Sequence, residues 1–369
     1  MRRFVLIAVP FLWLLALFLI PFGIVLKISL SDVALARPPY VPQFSWDEGI
    51  RAFLSQLDFE NFAFIGAGAI VVTVVAIALL AAVAFPVYGL VFRRFFGGGL
   101  KALSIRSLIA AVVSVVAGIL AVVIVFAVIS FFFPSVVSLL EVDDYLYFQA
   151  YLSSLKIAAI STALTLLVGY PMAYGMARSP NSWRPTLMML VILPFWTSFL
   201  IRVYAWRGIL SQEGYLNQVL LWLGVIGEPL TILNTNTAVY IGVVYTYLPF
   251  MILPIYAALE KLDVSLIEAA EDLGCSRSSA FWLVTIPLSR PGIVAGCFLV
   301  FIPTLGEFVI PSLLGGSGTL MIGKVLWEEF FNNRDWPVAS AVAIILLLIL
   351  IVPIVLFQRN QQRQAEAGG

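Results

Sequence analysis

Residues 258–292 read ALEKLDVSLIEAAEDLGCSRSSAFWLVTIPLSRPG, and this polar segment decides the fold. It lies between two apolar runs, Thr237–Leu259 and Pro291–Leu314. A helix needs about 20 apolar residues to cross the roughly 30 Å hydrocarbon core of a bilayer, and each run meets that length. The segment is therefore predicted to be a loop outside the membrane that joins two crossings.

The first part of this loop carries the signals of a short helix. Ser265 and Glu268 have capping-box spacing, in which Ser265 bonds the amide three residues on and Glu268 bonds back. Gly274 can adopt the left-handed conformation that ends a helix. Between these signals an apolar stripe recurs at spacings of three and four, formed by Leu266, Ala269, Ala270 and Leu273.

The second part of the loop predicts another short helix. Ser276 or Ser278 could cap it, and we expect it to stop before Pro287, because the residue before a proline avoids the helical region. Isolated helices of this length are not stable in water. The loop is therefore expected to dock on another surface.

The composition restricts the class of protein. The chain has 369 residues, of which 62% are hydrophobic and 11% charged, whereas soluble domains carry about 25% charged residues. Too little polar surface remains to cover a water-exposed globule, and this predicts an all-α, polytopic membrane helix bundle. The net charge of +1 excludes a basic footprint for nucleic acid. With no histidine, and with Cys275 and Cys297 lacking metal-site spacing, we expect no metal, cofactor or disulfide.

Eight apolar stretches qualify, or nearly qualify, as spanning helices. They are Phe4–Leu26, Phe62–Phe92, Ser107–Phe133, Ile157–Ala177, Pro185–Ile201, Thr237–Leu259, Pro291–Leu314 and Pro337–Phe357. The segment Leu216–Ile226 is too short to cross and is predicted to lie on the outer surface as an amphipathic helix. The first stretch is longer than the about 7–15 residues of a signal-peptide core, which favours a retained helix over a cleaved signal.

The distribution of Lys and Arg sets the orientation. With the N-terminus in the cytosol, 13 basic residues fall in cytosolic segments and seven outside, with Lys156 near a helix start. This arrangement places both termini and the loop at residues 260–290 in the cytosol. The chain then divides into a first helix with its outer loop (1–60), a transmembrane hairpin (61–145), a core (146–358) and a cytosolic tail (359–369).

The run Glu268-Ala269-Ala270, followed by Gly274 and Pro287, resembles the EAA loop of ABC importer permeases, with two conservative changes in the family's closing Ile-x-Leu-Pro. By this resemblance the loop at 260–290, called the EAA loop below, contains the coupling helix that sits in a groove of a cytosolic ATPase. The resemblance implies that the two alanines allow close approach and that the glycine permits a bend. It also implies that the glutamate orients the loop or meets basic groups of the ATPase.

Several separated blocks outside the EAA loop are similar to polyamine (putrescine/spermidine) importer permeases, and most similar to putrescine permease subunits. They include LPFWTSFLIRVYAW at 193–206, FIPTLGEFVIPSLLGG at 301–316 and EEFFNNRDWPVASAVAI at 328–344. The likeness covers the first span and about residues 147–357. It implies a bacterial inner-membrane transport subunit that is not itself an enzyme. The implied partners are a second permease, a pair of ATPase subunits and a periplasmic polyamine-binding protein.

The hairpin at 61–145 departs from this family, in which one outer loop follows the first span. The resemblance therefore implies the type I ABC importer fold, with six family-like spans plus an inserted pair of helices. Two added crossings leave the downstream orientation unchanged. Because neither inserted stretch carries a charge, we expect the hairpin to face lipid at the periphery of the bundle.

A polyamine has two or more ammonium groups, and binding it inside a membrane requires carboxylates, carbonyls or aromatic faces. Glu307 is the lone acid of an apolar span. It could instead be a packing acid that pairs with Arg202 or bonds a serine or threonine. The aromatic candidates, Tyr240, Tyr247 and Trp196, could attract cations through their ring faces or form an interfacial belt. Asp335 could simply cap the last helix. The candidate substrate path consists of Glu307, Tyr240, Tyr247, Trp196 and Asp335.

Other functions stay open at the level of sequence. The cargo could be another small solute, because permeases of this kind share their framework, and an ATP-independent carrier is a further alternative. The missing histidine and the lack of a convergent catalytic set argue against an intramembrane enzyme. Gly318–Lys324 imitates part of a phosphate loop, but Val325 replaces the required Ser or Thr and no strand precedes it. We therefore expect another chain to handle ATP.

Overall fold

The computed structural model describes residues 2–41, 59–66, 70 and 145–367. Nearly all of the predicted hairpin at 61–145, and with it the predicted second and third spans, lies outside the described residues. The chain separates into two compact units. The first combines Met1–Phe148 with Glu329–Gly369, and the second is Gln149–Glu328.

Helices form almost all of the described chain, as the all-α class requires. They are α1 (Arg2–Ser29), α2 (Glu60–Phe64), α3 (Tyr145–Arg178), α4 (Arg184–Ile192), α5 (Phe199–Ile209), α6 (Tyr215–Trp222), α7 (Asn236–Glu260), α8 (Ser265–Asp272), α9 (Arg277–Ala280), α10 (Ile286–Leu305), α11 (Val309–Leu314), α12 (Ile322–Trp327) and α13 (Trp336–Ala367). Leu193–Trp196 forms a 3-10 turn, and Phe281–Thr285 and Glu328–Asn333 form π turns. Two short strands, β1 (Asp32–Val33) and β2 (Tyr40–Val41), pair antiparallel with Asp32 opposite Val41.

Three helical segments in the described part are long and apolar enough to cross a membrane. They are Leu146–Arg178, Asn236–Glu260 and Arg277–Leu305. The segments Arg184–Trp196 and Phe199–Ile209 add a fourth if they count as one bent span, and shorter apolar stretches occur at Leu15–Ser29 and Trp336–Ile351. All of these lie where the sequence predicted crossings, while the total of eight stays a prediction.

The fifth predicted span, Pro185–Ile201, is not one straight helix. The segments on either side of Thr197 meet at 90°. Thr197 is extended, with φ −99° and ψ 151°, and its hydroxyl donates to the carbonyl oxygen of Pro194 at 2.9 Å. Because the 3-10 turn is closed in this way, the chain leaves the helical path and starts again at α5. The apolar pattern of the sequence does not show this break.

The seventh predicted span, Pro291–Leu314, also differs in its bounds. Helix α10 begins before Pro291 and ends at Leu305, and the chain passes through Gly306 before α11 begins at Val309. The break between α10 and α11 therefore lies beside Glu307, the predicted intramembrane acid.

The core of the second unit is the packing of α7 against α10. Gly292 and Gly296 have the small-xxx-small spacing that lets two helices approach closely. A Cβ built on Gly292 would lie 2.6 Å from the carbonyl oxygen of Pro254 and 2.7 Å from the Cβ of Ala258. A Cβ on Gly296 would lie 2.8 Å from the Met251 sulfur. Both glycines therefore lie in close contact with α7.

The first unit is built on α1 and α13, which pack against each other. The side-chain amide of Asn61 in α2 donates to the carbonyl oxygens of Ser29 and Ser31 at 3.1 and 2.8 Å. The ammonium of Lys27 lies 4.0 Å from the ring centroid of Tyr40. These contacts fix the polar end of α1 where it leaves the apolar stretch.

Gly292→Ala is expected to destabilise the protein, because the new methyl group meets backbone that cannot rotate away. Overpacking of this kind costs about 1–3 kcal/mol. The thermal unfolding midpoint of the purified protein in detergent measures the effect. Gly175→Ala in α3 is the matched control, because a Cβ there meets nothing within 4 Å. Equal midpoints for the two variants would contradict the close contact.

Candidate functional site

Helix α8 of the EAA loop begins in a different way from the one predicted. The carboxylate of Asp263 accepts a hydrogen bond from the Ser265 amide at 3.0 Å, and the residue before the helix, Val264, provides no side-chain cap. The predicted capping box between Ser265 and Glu268 was wrong, because the Ser265 amide donates to Asp263 and not to Glu268. This hydrogen bond lowers the pKa of Asp263 below its usual value.

The end of α8 agrees with the prediction. Gly274 has φ +89°, in the left-handed region that favours glycine. Its amide donates to the carbonyl of Glu271 at 2.9 Å, and the amide of Cys275 donates to the carbonyl of Ala270 at 3.0 Å. These two bonds form a Schellman motif, which satisfies carbonyls that the helix end leaves open. The bend between the two short helices therefore depends on Gly274.

The second short helix, α9, is capped by Ser276, whose hydroxyl accepts from the Ser279 amide at 3.2 Å. The expected stop before Pro287 was wrong, because the chain continues through the π turn Phe281–Thr285 into α10. Pro287 then lies in the first turn of α10, where helices tolerate a missing amide hydrogen. Residues from Arg277 to Leu305 form one helical segment that joins the loop to the membrane.

One side of the EAA loop is anchored on the chain itself. The ring of Phe281 meets the rings of Tyr170 and Tyr174 edge to face, at centroid distances of 5.8 and 5.5 Å. The hydroxyls of Tyr170 and Ser289 lie 3.0 Å apart, within hydrogen-bonding distance. Movements of the loop are thereby linked to α3 as well as to α10.

The other side of the EAA loop is exposed. Leu266 is 49% exposed, Leu273 88% and Trp282 61%, and Glu268 and Ala269 are exposed beside them. The predicted apolar stripe of α8 therefore remains open to solvent along much of its length. Exposed apolar patches of this kind mark surfaces that meet a partner.

A polar cluster that the sequence did not reveal holds the base of α7. The guanidinium of Arg184 donates to the carbonyls of Ser179 and Ala177 at 3.1 and 2.9 Å, and lies 3.7 Å from the carboxylate of Glu260. The Tyr256 hydroxyl donates to the same carboxylate at 2.7 Å. The only sequence signal was that Arg184 and Glu260 both lie at the edge of a loop that is predicted to be cytosolic.

Glu307, predicted from the sequence to lie in the membrane, is only 9% exposed. One of its carboxylate oxygens, Oε2, accepts from the Tyr247 hydroxyl at 2.6 Å. The other, Oε1, accepts from the amides of Val309 and Ile310 at 3.0 and 3.5 Å. The structure thus brings together two predicted path residues, Tyr247 and Glu307. The alternative pairing with Arg202 is not formed, since no Arg or Lys nitrogen of the described chain lies within 4.0 Å of this carboxylate.

The remaining path candidates lie in other surroundings. Tyr240 is two turns from Tyr247 on α7 and packs, half-buried, against the core. Trp196 is 72% exposed on the 3-10 turn. Asp335, in the first unit, accepts from the Val338 amide at 3.0 Å and so caps α13. Burial raises the pKa of Asp335 above its usual value, and the neighbouring Glu329 adds to this.

The sequence missed an aromatic series next to Glu307. The ring of Phe250 lies 6.1 Å from that of Tyr247 and 5.2 Å from that of Phe195. Arg202 in turn lies over Phe195, 5.4 Å from its centroid. In the part of the chain that the structure describes, no three His, Cys, Asp or Glu side chains come together as metal ligands. The chemistry of the site is therefore that of one carboxylate and aromatic faces.

Comparison with known proteins identifies relatives of the core. The family described as binding-protein-dependent transport system inner membrane component matches residues 156–364. The chain is 47% identical over 216 residues to the spermidine/putrescine transport system permease protein PotB of Escherichia coli K12, covering 58% of this chain and 78% of that protein. It is 32% identical over 222 residues to the inner membrane ABC transporter permease protein YdcU of the same organism, covering 56% and 70%. It is 30% identical over 210 residues to the molybdenum transport system permease protein ModB of Mycobacterium bovis, covering 56% and 76%.

Two substitutions of Asp335 separate capping from a role for its charge. Asp335→Ala is expected to lose about 0.5–2 kcal/mol of stability with the cap. Asp335→Asn keeps an oxygen for the Val338 amide. Because the folded-state pKa is raised, the charged form is disfavoured in the fold, and stability falls as pH rises through that pKa. The Asn variant is therefore expected to be at least as stable as the parent at neutral pH, by thermal unfolding in detergent. Transport as low in Asn as in Ala would assign the charge to the substrate path instead.

Proposed function

We propose, on the premise that the chain belongs to the family of binding-protein-dependent transport system inner membrane components, that it is the permease subunit of an ATP-driven polyamine importer. The observation that carries the proposal is the 47% identity over 216 residues to a spermidine/putrescine permease. Putrescine is the favoured cargo, with spermidine as the second candidate. The protein would lie in the inner membrane with both termini in the cytosol.

The partners follow from what this chain offers. The exposed stripe of α8 supplies an apolar surface for the groove of an ATPase subunit, with the Glu268 carboxylate at its edge. Two ATPase subunits bind and hydrolyse ATP. A second permease completes the path, and a periplasmic binding protein delivers the polyamine. In this scheme the chain itself catalyses no reaction.

The geometry supplies a route from the loop to the candidate cation site. When the ATPases close on ATP, α8 moves with them. The motion passes through α9 and the π turn into α10, whose last residue, Leu305, is two residues from Glu307. Phe281, packed on Tyr170 and Tyr174, passes the same motion to α3. Coupling of this kind requires two global states in which the partners make different contacts.

The chemistry at Glu307 suits an ammonium group. Its carboxylate is oriented by neutral donors, the Tyr247 hydroxyl and two backbone amides, so its negative charge stays available for a cation. The rings of Tyr247 and Phe250 add faces that attract cations, at about 0.5–2 kcal/mol per contact. The alternative cargo is a different small solute, because the chain is also similar to a permease named for molybdenum transport.

Glu268→Ala and Gly274→Ala are expected to uncouple ATP hydrolysis from import. Alanine at Gly274 is disfavoured by roughly 1–2 kcal/mol in the left-handed region, so the bend of the loop changes while the protein stays in the membrane. The reconstituted complex, supplied with binding protein and ATP, is assayed for accumulated radiolabelled putrescine or spermidine and for released phosphate. Less amine per ATP is the expected result.

Gly224→Ala is the matched control for this experiment. Gly224 also has positive φ, +68°, with open space around its Cβ position, but it follows α6 rather than the EAA loop. The amount of amine that Gly224→Ala accumulates per ATP hydrolysed is expected to equal that of the parent protein. If Glu268→Ala and Gly274→Ala also keep the parent value, the coupling role is refuted. Accumulation of amine without ATP would favour a carrier.

Glu307→Gln is expected to impair polyamine import while the complex still assembles. Glutamine keeps the size of the side chain and an oxygen for the Val309 and Ile310 amides, and its NH2 group can donate to the Tyr247 hydroxyl oxygen, but it removes the charge. Hydrogen bonds to charged groups contribute about 1.5–3 kcal/mol, which corresponds to a roughly ten- to hundredfold loss. Uptake of labelled putrescine over a range of concentrations measures it. Glu213→Gln, at an exposed acid before α6, is the control, and normal uptake by Glu307→Gln would remove this acid from the path.

A further inference from the structure

Arg202 on α5 is a second charged group in the interior of the second unit. Its Nε and Nη1 atoms are buried and have no hydrogen-bond acceptor among the described residues. The guanidinium instead lies among rings, 5.4 Å from the centroid of Phe195 and 5.9 Å from that of Phe199. Aromatic faces compensate a cation only in part. Two donors of a permanent charge are therefore left without an acceptor.

Glu307 presents the opposite case in the same unit. Each of its carboxylate oxygens is hydrogen-bonded, but only by neutral groups. Among the described residues, neither the pair of Arg184 with Glu260 nor that of Arg277 with Glu271 includes this acid. The carboxylate is thus oriented without being neutralised.

The two uncompensated charges are linked by a continuous series of side-chain contacts. Phe195, which lies beside Arg202, meets Phe250, and Phe250 meets Tyr247, whose hydroxyl bonds Glu307. The backbone gives a second link, because α5 packs against α11 and α11 begins two residues after Glu307. A partly buried cation and a buried anion are therefore connected through one series of aromatic rings.

Electrostatics favours a state in which these two groups meet. Opposite charges attract more strongly in an apolar interior than in water, and each charge alone carries a desolvation cost. The chain also has a place to bend. The extended Thr197 separates the 3-10 turn from α5, at the 90° break that precedes Arg202. Rotation there would move α5 while leaving α4 in place.

We propose that Arg202 is the resident counter-cation of Glu307, pairing with it in the transport state that holds no amine. This inference rests on the proposed function, since it takes Glu307 as the carboxylate that binds an ammonium group. Substrate and guanidinium compete for one carboxylate. The incoming ammonium displaces Arg202, and the return of Arg202 helps the ammonium to leave. The aromatic faces of Phe195 and Phe199 hold the guanidinium while it is displaced.

The competition has a kinetic signature that a purely structural role would not produce. Arg202→Gln removes the competitor, so the KM for putrescine is expected to fall several-fold, because the carboxylate is free to bind. The maximum rate is expected to fall as well, because release loses its assistance. Arg202→Lys keeps a cation and is expected to restore both values toward those of the parent. Uptake by the reconstituted importer, normalised to assembled complex, gives both constants.

Epistasis supplies the second measurement. If Arg202 acts through Glu307, the double variant Arg202→Gln with Glu307→Gln is expected to transport like Glu307→Gln alone. Arg207→Gln is the matched control, because Arg207 is exposed on the same helix. Additive losses in the double variant, or unchanged constants in Arg202→Gln, would overturn the proposal.

Failure to assemble is also decisive. Assembly lost in Arg202→Gln but recovered in the double variant supports the pair, because the second change removes the charge left unpaired. Assembly lost in both, while Glu307→Gln assembles, overturns the proposal and assigns Arg202 to contact with lipid or a second permease. Normal transport by Glu307→Gln refutes the amine site of the proposed function itself. An altered KM in Glu307→Gln beside unchanged constants in Arg202→Gln refutes only the present inference.

Discussion

A backbone amide inside hydrocarbon must find an acceptor, and this constraint shapes the second unit. Within a helix the backbone amides bond to carbonyls of the same helix, so only the amides at helix breaks need another acceptor. Between α10 and α11 the chain leaves the helix, and the Glu307 carboxylate accepts the amides of Val309 and Ile310. The acid that we propose for cation binding is therefore also the group that makes the break tolerable. The backbone at this break therefore depends on the Glu307 carboxylate.

The same constraint explains how a signal can cross the unit. The residues from Arg277 to Leu305 form one continuous helical segment, which in the proposed scheme carries the motion of the loop toward Glu307. Gly292 and Gly296 hold this segment close to α7, where Gly292 faces the carbonyl oxygen of Pro254 and Gly296 faces Met251. Close packing favours discrete arrangements over continuous deformation. In the proposed scheme, a shift at the loop would therefore reach the neighbourhood of Glu307.

The sequence predicted features whose causes are local and missed those whose causes are tertiary. Left-handed Gly274 and the cap at Ser276 follow from residue type and spacing, and both are present. The capping box failed because Asp263, not Glu268, accepts from the Ser265 amide, while the Glu268 amide donates to the carbonyl of Val264, and spacing alone does not choose between these acceptors. The π turn before Pro287 leaves no mark in the apolar pattern. For Glu307 the residues offered several partners, and only the fold shows which one it takes.

Two acids of this unit show how environment assigns a role. Glu260 meets the guanidinium of Arg184 and the hydroxyl of Tyr256, so its charge is used to fix the base of α7. Glu307 is more buried but meets only dipoles, which orient its charge without cancelling it. A fully neutralised carboxylate would bind an ammonium group weakly, and an unoriented one in hydrocarbon would be too costly to keep. Orientation by neutral donors lies between these limits, and in the proposed function that balance would allow a cation to bind and then to leave.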